Sequence, residues 1–202
     1  MERKTVLVIG DSVSIHYGPF LKEMIKSKYN FDRISEIVDG DLDKPVGANA
    51  GDSKMVLEYL KDEYNKGTTY NILLLNCGLH DIRIDRVTKQ IQVMEWEYEE
   101  NLNIISDLAL KMSERVMWIT TTPVLDAIHN RRNEGFIRYN KDVILYNSIA
   151  ENIMGKYQIS CVDIYTFTNN LGDDIYSDHV HFKESVQALQ GAFIAGHLFC
   201  NR

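Results

Sequence analysis

The chain has 202 residues, of which 45% are hydrophobic and 25% charged, and its formal net charge is −7. This length and composition predict one globular domain over residues 1–202, with a core large enough to fold without disulfide bonds or structural metal ions. The acidic balance argues against nucleic-acid binding, which needs clustered Lys and Arg, because no basic stretch is longer than Arg131-Arg132. No stretch approaches the roughly 18 apolar residues of a membrane span, so we expect no membrane partner.

The other composition signals concern cofactors and location. Cys77, Cys161 and Cys200 are widely spaced and form no Cys-x-x-Cys pair, so we expect reduced, buried thiols. Neither metal-ligand spacing nor a glycine-rich phosphate fingerprint occurs, so no metal or cofactor is expected. The first apolar run, TVLVI, is too short for a signal peptide. We therefore expect a cytoplasmic protein, although a secreted mature form would look the same.

Strand-like and helix-like segments alternate along the chain. The apolar patterns predict strands at 5–9, 33–38, 71–77, 115–123 and 159–165, and helices at 13–28, 52–65, 91–113, 136–154 and 183–199. Strands that alternate with helices form a parallel sheet covered on both faces. The fold class is therefore predicted as a flavodoxin-like three-layer α/β/α sandwich with about five parallel strands.

Four polar stretches follow predicted strands or precede the last helix, where ligands bind in open α/β sheets. They are Gly10-Asp11-Ser12, residues 49–53 (NAGDS), residues 76–81 (NCGLHD) and residues 178–181 (DHVH). Each one alone has an ordinary explanation as a turn or a helix cap. Their joint placement at one edge of the sheet is what points to a catalytic site.

Nucleophilic catalysis by a serine requires a base, a group that orients the base, and donors for the developing oxyanion. Asp178 stands three residues before His181, a spacing that lets the carboxylate accept from Nδ1 and leaves Nε2 free. The spacing favours His181 over His179 as the base. Backbone N–H groups of Ser12 and Gly51 are candidate oxyanion donors, since glycine allows close backbone approach.

These stretches resemble the consensus blocks of the SGNH, or GDSL-type, hydrolase superfamily. Gly10-Asp11-Ser12 matches the first block, Gly51 the second, residues 78–81 part of the third, and Asp178-His179-Val180-His181 the fifth. The resemblance implies that Ser12 is the nucleophile, His181 the base and Asp178 the acid that orients it. It also implies a serine esterase that forms an acyl-serine intermediate on a small acyl ester, most simply an acetyl ester of a carbohydrate.

The third block departs from the family pattern, because His80 stands where the family usually has Asn. A neutral imidazole can donate one hydrogen bond, so His80 can complete the oxyanion hole with Ser12 and Gly51. Asn76 is an alternative donor. The alternative to an active esterase at this point is a catalytically degenerate binding member. The NCGLHD segment also resembles the PC-esterase-like branch, which includes enzymes acting on acylated polysaccharides.

Other choices stay open at this stage. An O-acyltransferase would use the same triad, with a sugar hydroxyl in place of water. Asp11, Asn76, Arg131 and Arg132 are candidates for substrate contact, although a solvated loop is the simpler explanation for the two arginines. The partner predicted is a small-molecule or carbohydrate ester, and the oligomeric state is not predicted.

Overall fold

The structure, a computed structural model, describes residues 3–200 of the chain. Seven strands lie in this part: β1 Thr5–Ile9, β2 Asn30–Arg33, β3 Tyr70–Leu75, β4 Ile84–Asp85, β5 Ser113–Ile119, β6 Phe136–Ile137 and β7 Ser160–Val162. Five of them form one parallel sheet in the order β2-β1-β3-β5-β7, and β4 and β6 form a small antiparallel pair. The predicted fold class is confirmed.

The described helices form two groups. They are α1 Ser12–Ile25, α2 Ser53–Asn65, α3 Glu95–Met112, α4 Asp126–Arg132, α5 Asn140–Lys156, α6 Ile164–Asn169 and α7 Glu184–Cys200. Helix α7 packs on α1 and α6, whereas α3 packs on α2 and α5. Within residues 3–200, no helix is both long enough and apolar enough to cross a membrane.

The strand order locates the binding edge of the sheet. Strand β1 pairs in parallel with β2 on one side and with β3 on the other. The crossover from β1 to β2 and the crossover from β2 to β3 run in opposite directions across the sheet. Because such crossovers are right-handed, α1 and α2 cover opposite faces. The carboxyl ends of β1 and β3 consequently flank the topological switch point, where this type of sheet binds its ligands.

The central strands are buried on both faces. Leu73, Leu74 and Leu75 of β3 are all buried although they point alternately to opposite sides of the sheet. A strand covered by helices on both faces has a continuous apolar sequence, and for this reason β1 and β3 could be predicted from the sequence.

The second predicted strand, 33–38, is wrong. Strand β2 ends at Arg33, and residues 34–50 form an irregular loop with only an isolated bridge. The Arg33 side chain turns back instead and donates to the carbonyls of Ser14 at 2.7 Å and Ala48 at 3.0 Å. The strand is at the edge of the sheet and half-exposed, so apolar alternation carries little information there.

Two short helices were not predicted. Helix α4 lies inside the segment 123–135 that was expected to be irregular, and α6 begins at Ile164, where the last strand was expected to continue. Asp163 starts α6 by accepting a hydrogen bond from the Thr166 N–H at 2.9 Å. The three cysteines are free, but only Cys77 is buried, and Cys200 is exposed, contrary to expectation.

Candidate active site

Ser12 lies where β1 passes directly into α1. The Asp11 carboxylate caps this helix by accepting from the Val13 N–H at 2.9 Å, and the Ser14 hydroxyl donates to the Asp11 carbonyl at 2.6 Å. Ser12 is the first residue of α1, and the N–H groups of the first helical turn have no intrahelical acceptor. The turn therefore holds a hydroxyl and an unused backbone donor at the same point.

The structure brings Ser12, His181 and Asp178 together in one hydrogen-bonded chain. His181 Nε2 lies 2.8 Å from Ser12 Oγ, and His181 Nδ1 lies 2.6 Å from Asp178 Oδ2. An ionised carboxylate only accepts, so Nδ1 carries the proton and Nε2 is left to accept from the serine hydroxyl. The residues that meet here, Ser12 and His181, are 169 positions apart in sequence.

Asp178 is held in the orientation that this chain requires. Its Oδ1 accepts from the N–H groups of Val180 at 2.8 Å and His181 at 2.7 Å. Burial alone would raise the pKa of Asp178, but the hydrogen bonds from the His181 ring and these two N–H groups hold it well below its usual range. The carboxylate is therefore ionised at neutral pH.

His16 contacts the His181 ring, and the sequence analysis did not predict this contact. Its ring lies edge-on to the His181 ring, with the centroids 4.8 Å apart. Burial and the neighbouring His181 lower the pKa of His16. The signal that could have revealed it is its position four residues after Ser12, which places both on one face of α1.

Gly51 occupies a position that only glycine fits. Its φ is +75°, and a Cβ at this position would lie 2.5 Å from Met55 Sδ and 2.8 Å from Pro45 Cβ. Its N–H donates to Asn49 Oδ1 at 3.1 Å. A role in the oxyanion hole therefore requires that the Asn49 side chain share this donor or release it.

His80 is 1% exposed, and its Nε2 lies 3.5 Å from Arg83 Nη2. Because a guanidinium can only donate, this contact favours the tautomer in which Nε2 accepts and the ring proton is on Nδ1. Nδ1 is buried and has no partner among the described residues. Burial, and then the charges of Arg83, Arg138 and His181, hold the pKa of His80 well below its usual range, so the ring is neutral.

Asp81, in the third block, hydrogen-bonds to the stretch 49–53 that contains Gly51 of the second block. Its Oδ1 accepts from the Ser53 N–H at 2.9 Å, and Asn101 Nδ2 donates to Ser53 Oγ at 2.9 Å. Burial raises the pKa of Asp81 to about 7, with hydrogen bonds from Ser53 opposing the change. The folded protein thus favours the protonated carboxyl.

This raised pKa predicts a pH-dependent stability. An unfolded Asp ionises near pH 3.9, so the contribution of the protonated Asp81 is complete below that pH and is lost as the pH rises toward about 7. Asp81→Asn keeps an acceptor for the Ser53 N–H without the titration. We expect urea unfolding to show wild type losing stability from pH 4.5 to pH 7 relative to Asp81→Asn. A constant difference between the two proteins would contradict this assignment.

The other predicted contact residues have partners of their own or lie further out. Asn76 Nδ2 donates to the Ile119 carbonyl at 2.9 Å, so its amide is occupied at the end of β5. Asp11 is buried as the cap of α1. Arg132 donates to the Asp178 carbonyl at 3.0 Å, and its neighbour Arg131 is exposed on α4.

His179 does not face Ser12. Its Nε2 lies 3.1 Å from Asp43 Oδ2, and its Nδ1 lies 2.9 Å from His129 Nδ1. Asn133 Nδ2 donates to the same Asp43 oxygen at 3.1 Å. Asp43 therefore connects the 34–50 loop to the segments that contain His179 and Asn133. Ser12 itself is only 3% exposed.

Among residues 3–200, no three or more His, Cys, Asp or Glu side chains are grouped so that they could hold a metal ion. The arrangement that is present suits acyl transfer through a serine: a nucleophile, a base, an orienting acid and nearby N–H donors.

Several solved structures share this fold across almost their whole length. A lipase/acylhydrolase from Enterococcus faecalis is 15% identical with a TM-score of 0.68, covering 96% of this chain and 95% of that chain. A carbohydrate acetylesterase from Sinorhizobium meliloti is 10% identical with a TM-score of 0.66, covering 98% and 99%. A variant of an acetyl xylan esterase from Geobacillus stearothermophilus is 12% identical with a TM-score of 0.66, covering 95% and 91%.

Sequence comparison identifies the family. No curated protein matches the chain by sequence. The family model described as GDSL-like lipase/acylhydrolase, in contrast, matches residues 6–194. Since that match spans nearly all of the sequence, from β1 to α7, the protein belongs to the GDSL-like lipase/acylhydrolase family of SGNH hydrolases.

Proposed function

We propose that the protein is a serine esterase that hydrolyses a small acyl ester, an acetyl ester of a carbohydrate, through an acyl-Ser12 intermediate. The observation that carries this proposal is the continuous chain from Asp178 through His181 to Ser12, with contacts of 2.6 Å and 2.8 Å. Both distances are within the range of working hydrogen bonds between a nucleophile, its base and the group that orients the base.

In the first half-reaction, Ser12 Oγ attacks the ester carbonyl carbon while His181 Nε2 takes the hydroxyl proton. The ionised Asp178 stabilises the imidazolium that forms and keeps the ring in the correct orientation. The tetrahedral intermediate collapses, the bond from carbon to the alcohol oxygen breaks, and His181 returns the proton to that oxygen. The acyl group remains on Ser12.

In the second half-reaction, water takes the place of the alcohol. His181 removes a proton from the water, the hydroxide attacks the acyl carbon, and the bond to Ser12 Oγ breaks. The carboxylic acid leaves, and Ser12 recovers its proton from His181. No cofactor enters either half-reaction.

The oxyanion of both intermediates would accept hydrogen bonds from the Ser12 N–H, the Gly51 N–H and His80 Nδ1–H. The His80 donor is supported by its burial and by its lack of any other partner in the described chain. A hydrogen-bond donor that is already in position before the reaction stabilises the oxyanion more than a donor that must reorient during the reaction. Ser12 at the start of α1 also places the positive end of the helix beside the oxyanion.

Two observations support a small acyl group and a carbohydrate alcohol. Ser12 and His181 are each only 3% exposed, which leaves little room for a long acyl chain. Two of the structural neighbours are named as an acetyl xylan esterase and a carbohydrate acetylesterase.

A fluorophosphonate probe tests the proposal directly, because it reacts with an activated serine and not with an ordinary hydroxyl. We expect folded protein to be labelled on the peptide containing Ser12, heat-denatured protein to remain unlabelled, and excess acetylated oligosaccharide to slow the labelling. Release of acetate from the same oligosaccharide would be measured in parallel. Folded protein that stays unlabelled and releases no acetate would contradict the esterase and favour a degenerate binding member.

A further inference from the structure

We propose that Arg83 is a positioning residue of the oxyanion hole, which fixes the tautomer of His80 so that Nδ1 carries the proton. This inference rests on the proposed function, in which His80 Nδ1–H is the third oxyanion donor. Arg83 does not contact Ser12 or the other members of the triad within hydrogen-bond distance in the described structure. It would act through His80 alone.

A histidine in an oxyanion hole has a difficulty that asparagine does not have. The side-chain amide of asparagine always offers N–H donors, whereas a neutral imidazole offers one N–H that can be on either nitrogen. His80 is buried, so water does not select between the two forms. A neighbouring side chain has to make that selection, as happens for other functional histidines.

Arg83 has the chemistry for this selection. Its Nη2 lies 3.5 Å from His80 Nε2, at the long end of hydrogen-bond distances. A guanidinium has no lone pair to offer, so a proton on Nε2 would point at a donor and at a positive charge. Both effects favour the tautomer protonated on Nδ1, and the positive charge also disfavours the imidazolium.

The surroundings hold the Arg83 guanidinium in place. Its Nη2 donates to the Asp43 carbonyl at 2.5 Å and lies 3.7 Å from Asp43 Oδ1, while the guanidinium carbon lies 4.3 Å from the centre of the Phe136 ring. Only 13% of the side chain is exposed. A guanidinium that is held by these contacts and largely shielded from water keeps its orientation better than that of a solvated surface arginine.

Arg138 lies close by but contacts a different part of the loop. Its guanidinium carbon is 4.6 Å from the centre of the Phe136 ring, and its Nε donates to the Leu79 carbonyl at 2.6 Å. It therefore holds the backbone next to His80, and Arg83 is the arginine within reach of the His80 ring.

A double-mutant cycle separates positioning from general support of the fold. The variants are Arg83→Met, His80→Asn and the double substitution, with Arg86→Met as the matched control. Arg86 follows Arg83 on the other side of the short strand β4 and donates to the carbonyls of Asn130 and Asn133, both at 2.5 Å. It therefore also anchors this segment by a guanidinium but does not contact His80.

We expect Arg83→Met to lower kcat on p-nitrophenyl acetate by about 3–10-fold, because kcat follows the fraction of protein that keeps the Nδ1–H tautomer, and that fraction falls when Arg83 no longer disfavours the other tautomer. In the His80→Asn background, where no tautomer has to be fixed, the same change should alter kcat by less than about twofold. Arg86→Met should leave kcat within about twofold of wild type. An equal loss in both backgrounds, or no loss in the wild-type background, would overturn the proposal.

NMR of the imidazole nitrogens supplies a readout that does not depend on activity. The His80 signal, assigned by its absence in His80→Asn, should report the Nδ1–H tautomer in wild type and a mixture in Arg83→Met. Arg83→Lys keeps a donor-only cation and should keep the Nδ1–H tautomer, which provides the test if Arg83→Met folds poorly. An unchanged spectrum in Arg83→Met, or an Nε2–H tautomer in wild type, would refute the assignment even in a protein shown to be inactive.

Discussion

Replacing Ser12 with alanine is expected to lower kcat/KM for p-nitrophenyl acetate by a factor on the order of 10⁴ or more. Ser12 Oγ is the atom that would form the bond to the acyl carbon, and no other hydroxyl lies within hydrogen-bond distance of His181 Nε2 in the described structure. Initial rates measured with purified protein, together with acyl-enzyme detection by mass spectrometry, check the expectation.

The loss must come from chemistry and not from unfolding. Ser12→Ala removes a single oxygen from the helix start and leaves the Asp11 cap untouched, so the circular dichroism spectrum and Tm should stay close to those of wild type. Ser106→Ala is the matched control: Ser106 is also buried, but the only hydrogen-bond partner of its hydroxyl in the described chain is Met154 Sδ. Activity that survives in Ser12→Ala, with Ser106→Ala unchanged, would show that Ser12 is not the nucleophile.

Asp178→Asn is expected to reduce kcat by a factor of about 10²–10⁴ at neutral pH while the loop that carries it stays in place. The amide oxygen of asparagine can still accept from the N–H groups of Val180 and His181. Its NH₂ group, however, would face His181 Nδ1 and favour the tautomer protonated on Nε2. That tautomer cannot accept the proton of Ser12, and the imidazolium would lose its carboxylate partner.

Steady-state rates at pH 7 check this second expectation, and Asp174→Asn is the control. Asp174 precedes Asp178 by four residues, its side chain is 98% exposed, and it pairs with Lys183 at 2.6 Å away from the triad. Exposed ion pairs of this kind contribute little, so Asp174→Asn should behave as wild type. Equal activity of Asp178→Asn and Asp174→Asn would mean that the carboxylate next to His181 has no catalytic role.

Local sequence patterns predicted the structure correctly where the pattern is typical of a single kind of element or contact. The apolar runs of β1 and β3 predicted buried parallel strands, and polar stretches at their ends predicted the edge where Ser12 and His80 lie. The Asp178-x-x-His181 spacing predicted a contact within one turn of chain, and the structure has that contact at 2.6 Å. These features depend on neighbours in sequence, so the sequence is enough to find them.

The remaining parts of the site depend on contacts between segments that are distant in sequence. Asp43 meets His179 across 136 positions, and the irregular 34–50 loop has no periodicity that could predict this contact. The contact between the His16 and His181 rings is also tertiary, because it joins α1 to the loop before α7, although the position of His16 one turn after Ser12 places it on the same face of α1.

By itself, the sequence determined the layered α/β fold, because hydrophobic periodicity is a local property. The resemblance of its short polar stretches to known blocks gave the family. The same stretches predicted the three residues proposed to perform the chemistry. The tertiary structure alone decided the short edge strand β2, the helices α4 and α6, and the surroundings of His80. The orientation of its ring, with Nε2 toward Arg83 and Nδ1 unpartnered, follows from the packing of Arg83 on Asp43 and Phe136. Such packing arises only when loops distant in sequence meet beyond the carboxyl ends of the strands.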